Sequence, residues 1–155
     1  MSLEPQYQTA PEDRIPFHLK LVYGVGAFVN NTLADSIGRM LIVLNLGLGM
    51  NPALVGLLGA LPRLTDALTD PLMGYISDNP RSRYGRRRPY IFVGAIFVGI
   101  VFAVLWQLPE GKTESWYFWY FLAGSLIFFL AYTIYATPWV ALGYELTPDY
   151  HERTR

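Results

Sequence analysis

The chain has 155 residues, of which 52% are hydrophobic and only 15% charged, with 12 Lys and Arg balancing 12 Asp and Glu. A soluble domain carries about 25% charged residues, so this composition argues against a water-soluble globule, and the zero net charge argues against a nucleic-acid binder. Cysteine is absent, which excludes disulfides and thiolate metal sites, and the only histidines, His18 and His151, stand at opposite edges of the apolar region.

Residues 1–16 form a polar, proline-containing tail without the short apolar stretch and small-residue cleavage site of a secretory signal. The first hydrophobic helix is therefore expected to act as its own uncleaved insertion signal. A run of roughly 20 mostly apolar residues crosses the hydrocarbon layer as a helix, and four segments meet that description. The first, 17–46, is long and interrupted by Asn30, Asn31, Asp35 and Arg39. The second, 52–77, opens on Asn51-Pro52, a capping residue followed by proline at the first helical position. A basic loop follows at 78–88. The third segment, 89–108, carries no charge. The fourth, 116–142, precedes a polar stretch at 143–155. Trp106, Trp116, Tyr117, Trp119 and Tyr120 gather at the ends of the third and fourth segments, where amphipathic rings favour the headgroup level. The fold class expected is an all-α membrane bundle with four transmembrane helices.

Arginine and lysine in short loops mark the cytoplasmic side. Arg14, Lys20, the loop residues Arg81, Arg83, Arg86, Arg87 and Arg88, and then Arg153 and Arg155 fall on one side of the alternation; only Lys112 falls on the other. Both termini and the basic loop are thus expected in the cytoplasm. An anionic-lipid or nucleic-acid patch is the alternative reading of the arginines, but topology already accounts for them.

Arg63, Asp66 and Asp70 occupy the middle of the second segment and fall within an arc of about 60° at 100° per residue. A charge at the bilayer centre costs about 2.5–3.5 kcal/mol on the lenient insertion scale, so all three are expected to face protein or water. At spacings of three and four they can partly neutralise one another. Two carboxylates against one guanidinium leave a negative charge over, which suits a Na⁺ or H⁺; a static ion-pair brace between helices is the alternative. On the first segment Asn31, Asp35 and Arg39 rise along one face, giving either a polar seam or a surface for a hydroxylated ligand. Pro62 and Pro71 flank the acidic stretch and Pro138 interrupts the fourth segment; freed carbonyls there can open to a cavity or simply accompany kinks. Gly56, Gly59, Gly74, Gly94 and Gly99 suit close helix contact. Gly24-Val25-Gly26 is no dinucleotide loop, since no strand precedes it and Val29 takes the third glycine's place. No Ser-His-Asp set, metal cluster or P-loop is present, so no enzyme and no cofactor are expected.

Gly74-Tyr-Ile-Ser-Asp78 followed by Tyr84-Gly85-Arg86-Arg87-Arg88-Pro89 resembles the signature between the second and third helices of the major facilitator superfamily. The longer spacing here, with Asp66-Ala-Leu-Thr-Asp70-Pro71-Leu-Met-Gly74 upstream, is similar to the glycoside–pentoside–hexuronide:cation symporters. Tyr23-Gly-Val-Gly-Ala-Phe28, Leu54-Val-Gly56 and Tyr132-Thr-Ile-Tyr-Ala-Thr-Pro138 match in the same order, so the likeness covers about 18–153.

The resemblance implies a cation-coupled symporter of a sugar or glycoside, with Na⁺ or H⁺ as coupling ion and a multi-pass place in the cell membrane. It implies that Asp66, Asp70 and Thr133 bind the cation, with Asn31, Asp35 and Arg63 toward the substrate. It also implies that Gly74, Asp78, Gly85, Arg86, Arg87 and Arg88 form a conformational latch. Asn31 and Ala136 stand where sugar-binding members carry aspartates, and Thr69 replaces an asparagine of the cation site. About twelve helices are implied for the whole transporter, so the chain is expected to be an N-terminal part whose partners are the remaining helices, the lipid bilayer and a small-molecule substrate. The alternatives are a stand-alone four-helix oligomer, as exporter or structural subunit, and a lysolipid transporter of the same fold.

Overall fold

A computed structural model describes residues 14–78 and 87–146, and every regular element within them is helical. Helix α1 runs Phe17–Ile42 and continues as a π-helical turn over Val43–Gly47; α2 is Pro52–Asp78, α3 Arg88–Leu105 and α4 Glu114–Glu145. The architecture is an all-α bundle. Arg81, Arg83, Gly85, Arg86, Arg153, Arg155 and His151 lie outside the described residues, as do most of the two polar ends.

The helix ends follow from identifiable hydrogen bonds. In the widened turn after α1 the Leu48 N–H reaches the Val43 carbonyl at 3.1 Å, and Gly49 then turns the chain at φ 68°, a conformation that favours glycine. Asn51 caps α2 by accepting from the Ala53 N–H at 2.9 Å, and its own N–H donates to Glu114 Oε1 at 2.6 Å, tying the starts of α2 and α4. Helix α3 stops at Leu105 rather than 108. A hydroxyl from α4 takes one of its last carbonyls, Tyr120 donating to Val104 O at 2.6 Å, and Tyr117 holds the following loop by donating to Pro109 O at 2.7 Å. Helix α4 starts before 116 because Thr113 Oγ1 accepts from the Trp116 N–H at 3.3 Å. Pro62, Pro71 and Pro138 all lie inside continuous helices.

Helix α4 is the centre of the packing. It supplies Tyr117, Phe121, Phe128, Ala131, Tyr135 and Ala136 to a core that also takes Val98 and Leu105 from α3, Leu58 from α2, and Ile37 and Met40 from α1. Gly94 lets α3 approach the α4 backbone: a Cβ there would lie 2.7 Å from Tyr135 N and 2.9 Å from Ile134 C. Of the other small residues on α2 and α3, Gly56 and Gly99 have open space beside them, and Gly59 meets only the Leu41 side chain. Close approach therefore rests on Gly94 alone of that set. The rest of α3 turns Phe92, Val93, Ile96, Phe97, Ile100 and Val104 outward, a charge-free face suited to acyl chains.

Two described helices, α3 and α4, are long and apolar enough by composition to cross a membrane. At 26 and 27 residues, α1 and α2 reach about 40 Å at 1.5 Å per residue, longer than a hydrocarbon layer of roughly 30 Å. Their polar residues set them apart from α3 and α4. Where those residues point decides what the bundle can do.

Candidate functional site

Helix α2 packs through a stripe made of Leu58, Pro62, Met73 and Ser77, all buried. Asp66 and Thr69 lie on the same stripe at steps of three and four, half-buried between those positions. Asp70, next to them, reaches across to α4, where it accepts a hydrogen bond from the buried Thr133 hydroxyl at 2.9 Å. Asp70 thus meets a neighbouring helix, as the cost of a charge in lipid requires.

Three side-chain oxygens near this junction are fully buried and have no hydrogen-bond partner among the described residues: Asp66 Oδ1, Thr69 Oγ1 and Asn30 Oδ1. Each such atom costs about 1–3 kcal/mol when left unsatisfied. Tyr132 lies near Asn30 and the two acids. Its hydroxyl donates to the Asn30 carbonyl at 3.5 Å and lies within electrostatic range of both Asp70 and Asp66. Asn30 of α1, Asp70 of α2 and Thr133 of α4 thus carry oxygens on three helices about Tyr132 and Thr133, the donor type that hard cations take. No three of His, Cys, Asp or Glu converge among the described residues, so the negative charge comes from Asp66 and Asp70 alone.

Arg63 is exposed and makes no ion pair with either acid among the described residues. The partial neutralisation expected from spacing comes without an ion pair: Arg63 acts on Asp66 as a nearby charge. Asn31, Asp35 and Arg39 occupy an exposed face of α1. Asp35 accepts from Arg39 Nε at 3.0 Å within the helix, and the Asn31 amide donates back to Ala27 O at 3.0 Å. These three are not brought to the acids. The α1 face that meets α4 lies about 100° away and comprises Gly26, Asn30, Leu33, Ile37, Met40 and Leu44.

Along its first half α1 touches α4 through aromatic side chains. Tyr23 stacks on Trp139 with centroids 4.5 Å apart, and the Tyr135 hydroxyl donates to Gly26 O at 3.3 Å. At the same end, Arg87 ties three helices together. Its Nε donates to Asp78 Oδ1 at 3.0 Å, and its Nη1 lies 3.3 Å from Glu145 Oε1 at the end of α4. The Arg87 side chain is 14% exposed against 55% for each partner, so the arginine is enclosed and the acids are not. Gly85 and Arg86 of the expected latch lie outside the described residues; Gly74 sits on α2 near Thr137, and Arg88 opens α3. Glu145 was not foreseen, because it stands far along the chain from the arginines it joins.

Residues 22–155 match the family described as MFS/sugar transport protein. The chain is 34% identical over 154 residues to an uncharacterized symporter of Synechocystis, covering 96% of this chain and 28% of that protein. It is 33% identical over 105 residues to a putative glycoside/cation symporter of Escherichia coli, covering 68% and 23%. It is 29% identical over 143 residues to a sodium-dependent lysophosphatidylcholine symporter of Gallus gallus, covering 91% and 27%. The chain spans about a quarter of the length of these relatives. No solved structure matches. A helical bundle matched along almost all of its length leaves one assignment: the chain belongs to the MFS/sugar transport protein family.

Proposed function

We propose that this chain contributes the cation-binding helices of a transporter, not an enzyme, that couples entry of a Na⁺ or H⁺ to entry of a sugar or glycoside. The observation that carries the reading is the α2–α4 junction. Asp70 is held by the buried Thr133 hydroxyl, beside an Asp66 oxygen that is buried and unpartnered. Such a junction is incomplete without a cation or proton, and either would bring α2 and α4 to one state of charge. Asp66, Asp70 and Thr133 bind the ion. Asn31, Asp35 and Arg63, exposed on α1 and α2, offer hydrogen-bonding groups to a polar solute. Ion binding raises the affinity for solute, and both cross as the two halves of the complete transporter rock around the site.

The Arg87 bridge to Asp78 and Glu145 joins the ends of α2, α3 and α4 beside the arginine-rich loop. The positive-inside rule puts that end, with the N-terminus, in the cytoplasm of a multi-pass protein of the cell membrane. The bridge closes this side in one transport state and opens in the other. The similarity to a putative glycoside/cation symporter supports a sugar or glycoside as substrate, as does the polar exposed stripe of α1.

In the complete transporter, Asp70→Asn is expected to abolish cation-dependent uptake of a labelled glycoside. Undiminished uptake contradicts the reading. Lysophosphatidylcholine uptake measured in parallel separates the solute classes, and uptake of the lysolipid in place of sugars would move the substrate assignment to the lipid-transporting relatives.

A further inference from the structure

Asn30 takes no part in the site as drawn so far, yet its side chain is placed as a ligand would be. It lies on the α1 face that meets α4, not on the exposed polar stripe that begins one residue later. Its carboxamide oxygen is fully buried and unpartnered, as are Asp66 Oδ1 and Thr69 Oγ1 on α2. The Tyr132 hydroxyl contacts the Asn30 backbone carbonyl and lies within electrostatic range of Asp66 and Asp70. The next residue, Thr133, holds Asp70. Asn30 and Asp70 thus meet consecutive residues of α4, Tyr132 and Thr133, with Asp66 within electrostatic range of the first.

Resting on the cation-coupled reading above, we propose that Asn30 supplies its carboxamide oxygen to an alkali cation held by Asp66 and Asp70, and so fastens α1 to the ion site. A proton resides on one carboxylate and can serve one further acceptor. An alkali cation collects several oxygens at once, neutral ones included. An amide oxygen brought in from a third helix is thus of use to Na⁺ or Li⁺ and of little use to H⁺. Asn30 is then the residue through which ion binding reaches α1. The first half of α1 otherwise meets α4 through the Tyr23–Trp139 stack and two tyrosine hydroxyls. Asn31, the neighbour that faces the solute in the proposed function, would be positioned by the same event. Ion occupancy would thereby set the solute site.

The test is Na⁺ titration of the purified complete transporter by calorimetry, for wild type, Asn30→Ala and Asn30→Asp. Removing one oxygen ligand is expected to weaken Na⁺ binding by about ten-fold or more in Asn30→Ala. Asn30→Asp keeps an oxygen at the same reach and should bind Na⁺ within about three-fold of wild type. Wild-type Na⁺ affinity in Asn30→Ala would overturn the proposal, as would equal loss in both variants, which marks a packing role. A measurement without variants guards against misfolding: Na⁺ should slow amide exchange of wild-type α1 around 26–34, and protection confined to α2 and α4 overturns the proposal. If Asn30→Ala binds Na⁺ normally while wild-type uptake depends on Na⁺, only the role of Asn30 fails. A wild type that neither binds a cation nor couples to one overturns the parent reading as well.

Discussion

Thr133 is buried on α4, so its hydroxyl has no water to turn to and its proton is committed to Asp70 at 2.9 Å. A hydrogen bond to a charged group contributes about 1.5–3 kcal/mol. Thr133→Val keeps the shape and removes the donor. It is therefore expected to weaken cation binding by about ten-fold or more, while Thr133→Ser restores most of the loss; a cation titration of the two variants checks this. Asp66 and Asp70 were legible from sequence because a charge in mid-helix has few tolerable surroundings. Thr133 became visible only through family resemblance, since a lone threonine in an apolar helix carries no periodic signal. Asn30 was passed over for a concrete reason. Polarity alone picked out the run of 31, 35 and 39, whereas the face that packs is set by Leu33, Ile37, Met40 and Leu44, and Asn30 belongs to that one. Reading the apolar positions of α1 first would have found it.

At the level of helices, the closest approach is between α3 and α4. A methyl at Gly94 would meet the backbone at Ile134 and Tyr135 within 3 Å, and backbone cannot swing aside as a side chain can. Gly94→Ala is expected to destabilise the bundle by about 1–3 kcal/mol, read as a lowered unfolding temperature in detergent. Gly99→Ala, with open space around it, should leave that temperature unchanged. Arg87 provides the second test at this scale. Arg87→Gln removes both the Asp78 and the Glu145 contacts. It should loosen the ends of α2 and α4 together, seen as faster amide exchange around 74–78 and 141–145, whereas Glu145→Gln should affect α4 alone. Capping chemistry made the start of α2 readable from Asn51-Pro52. The end of α3 was not, because Tyr120 of another helix takes its Val104 carbonyl, and the π-helical turn after α1 has no signature in its residues.

For the molecule as a whole, the all-α bundle and its family were legible because a membrane chain must declare its helices by apolar length. The tertiary division of labour was not. Periodicity cannot say that α4 is the hub, that α3 leaves its apolar outer face exposed, or that α1 leans on aromatic rings over its first half. In the proposed function, Asp70 and Thr133 join α2 to α4 at the place where a coupling ion would act. The most direct measurement is cation movement driven by substrate alone, in vesicles carrying the complete transporter with no imposed ion gradient. Adding glycoside should draw Na⁺ or H⁺ inward with the solute, and Asp66→Asn or Asp70→Asn should stop the ion movement. Solute entry that moves no cation, or cation entry that survives loss of both acids, would contradict the account.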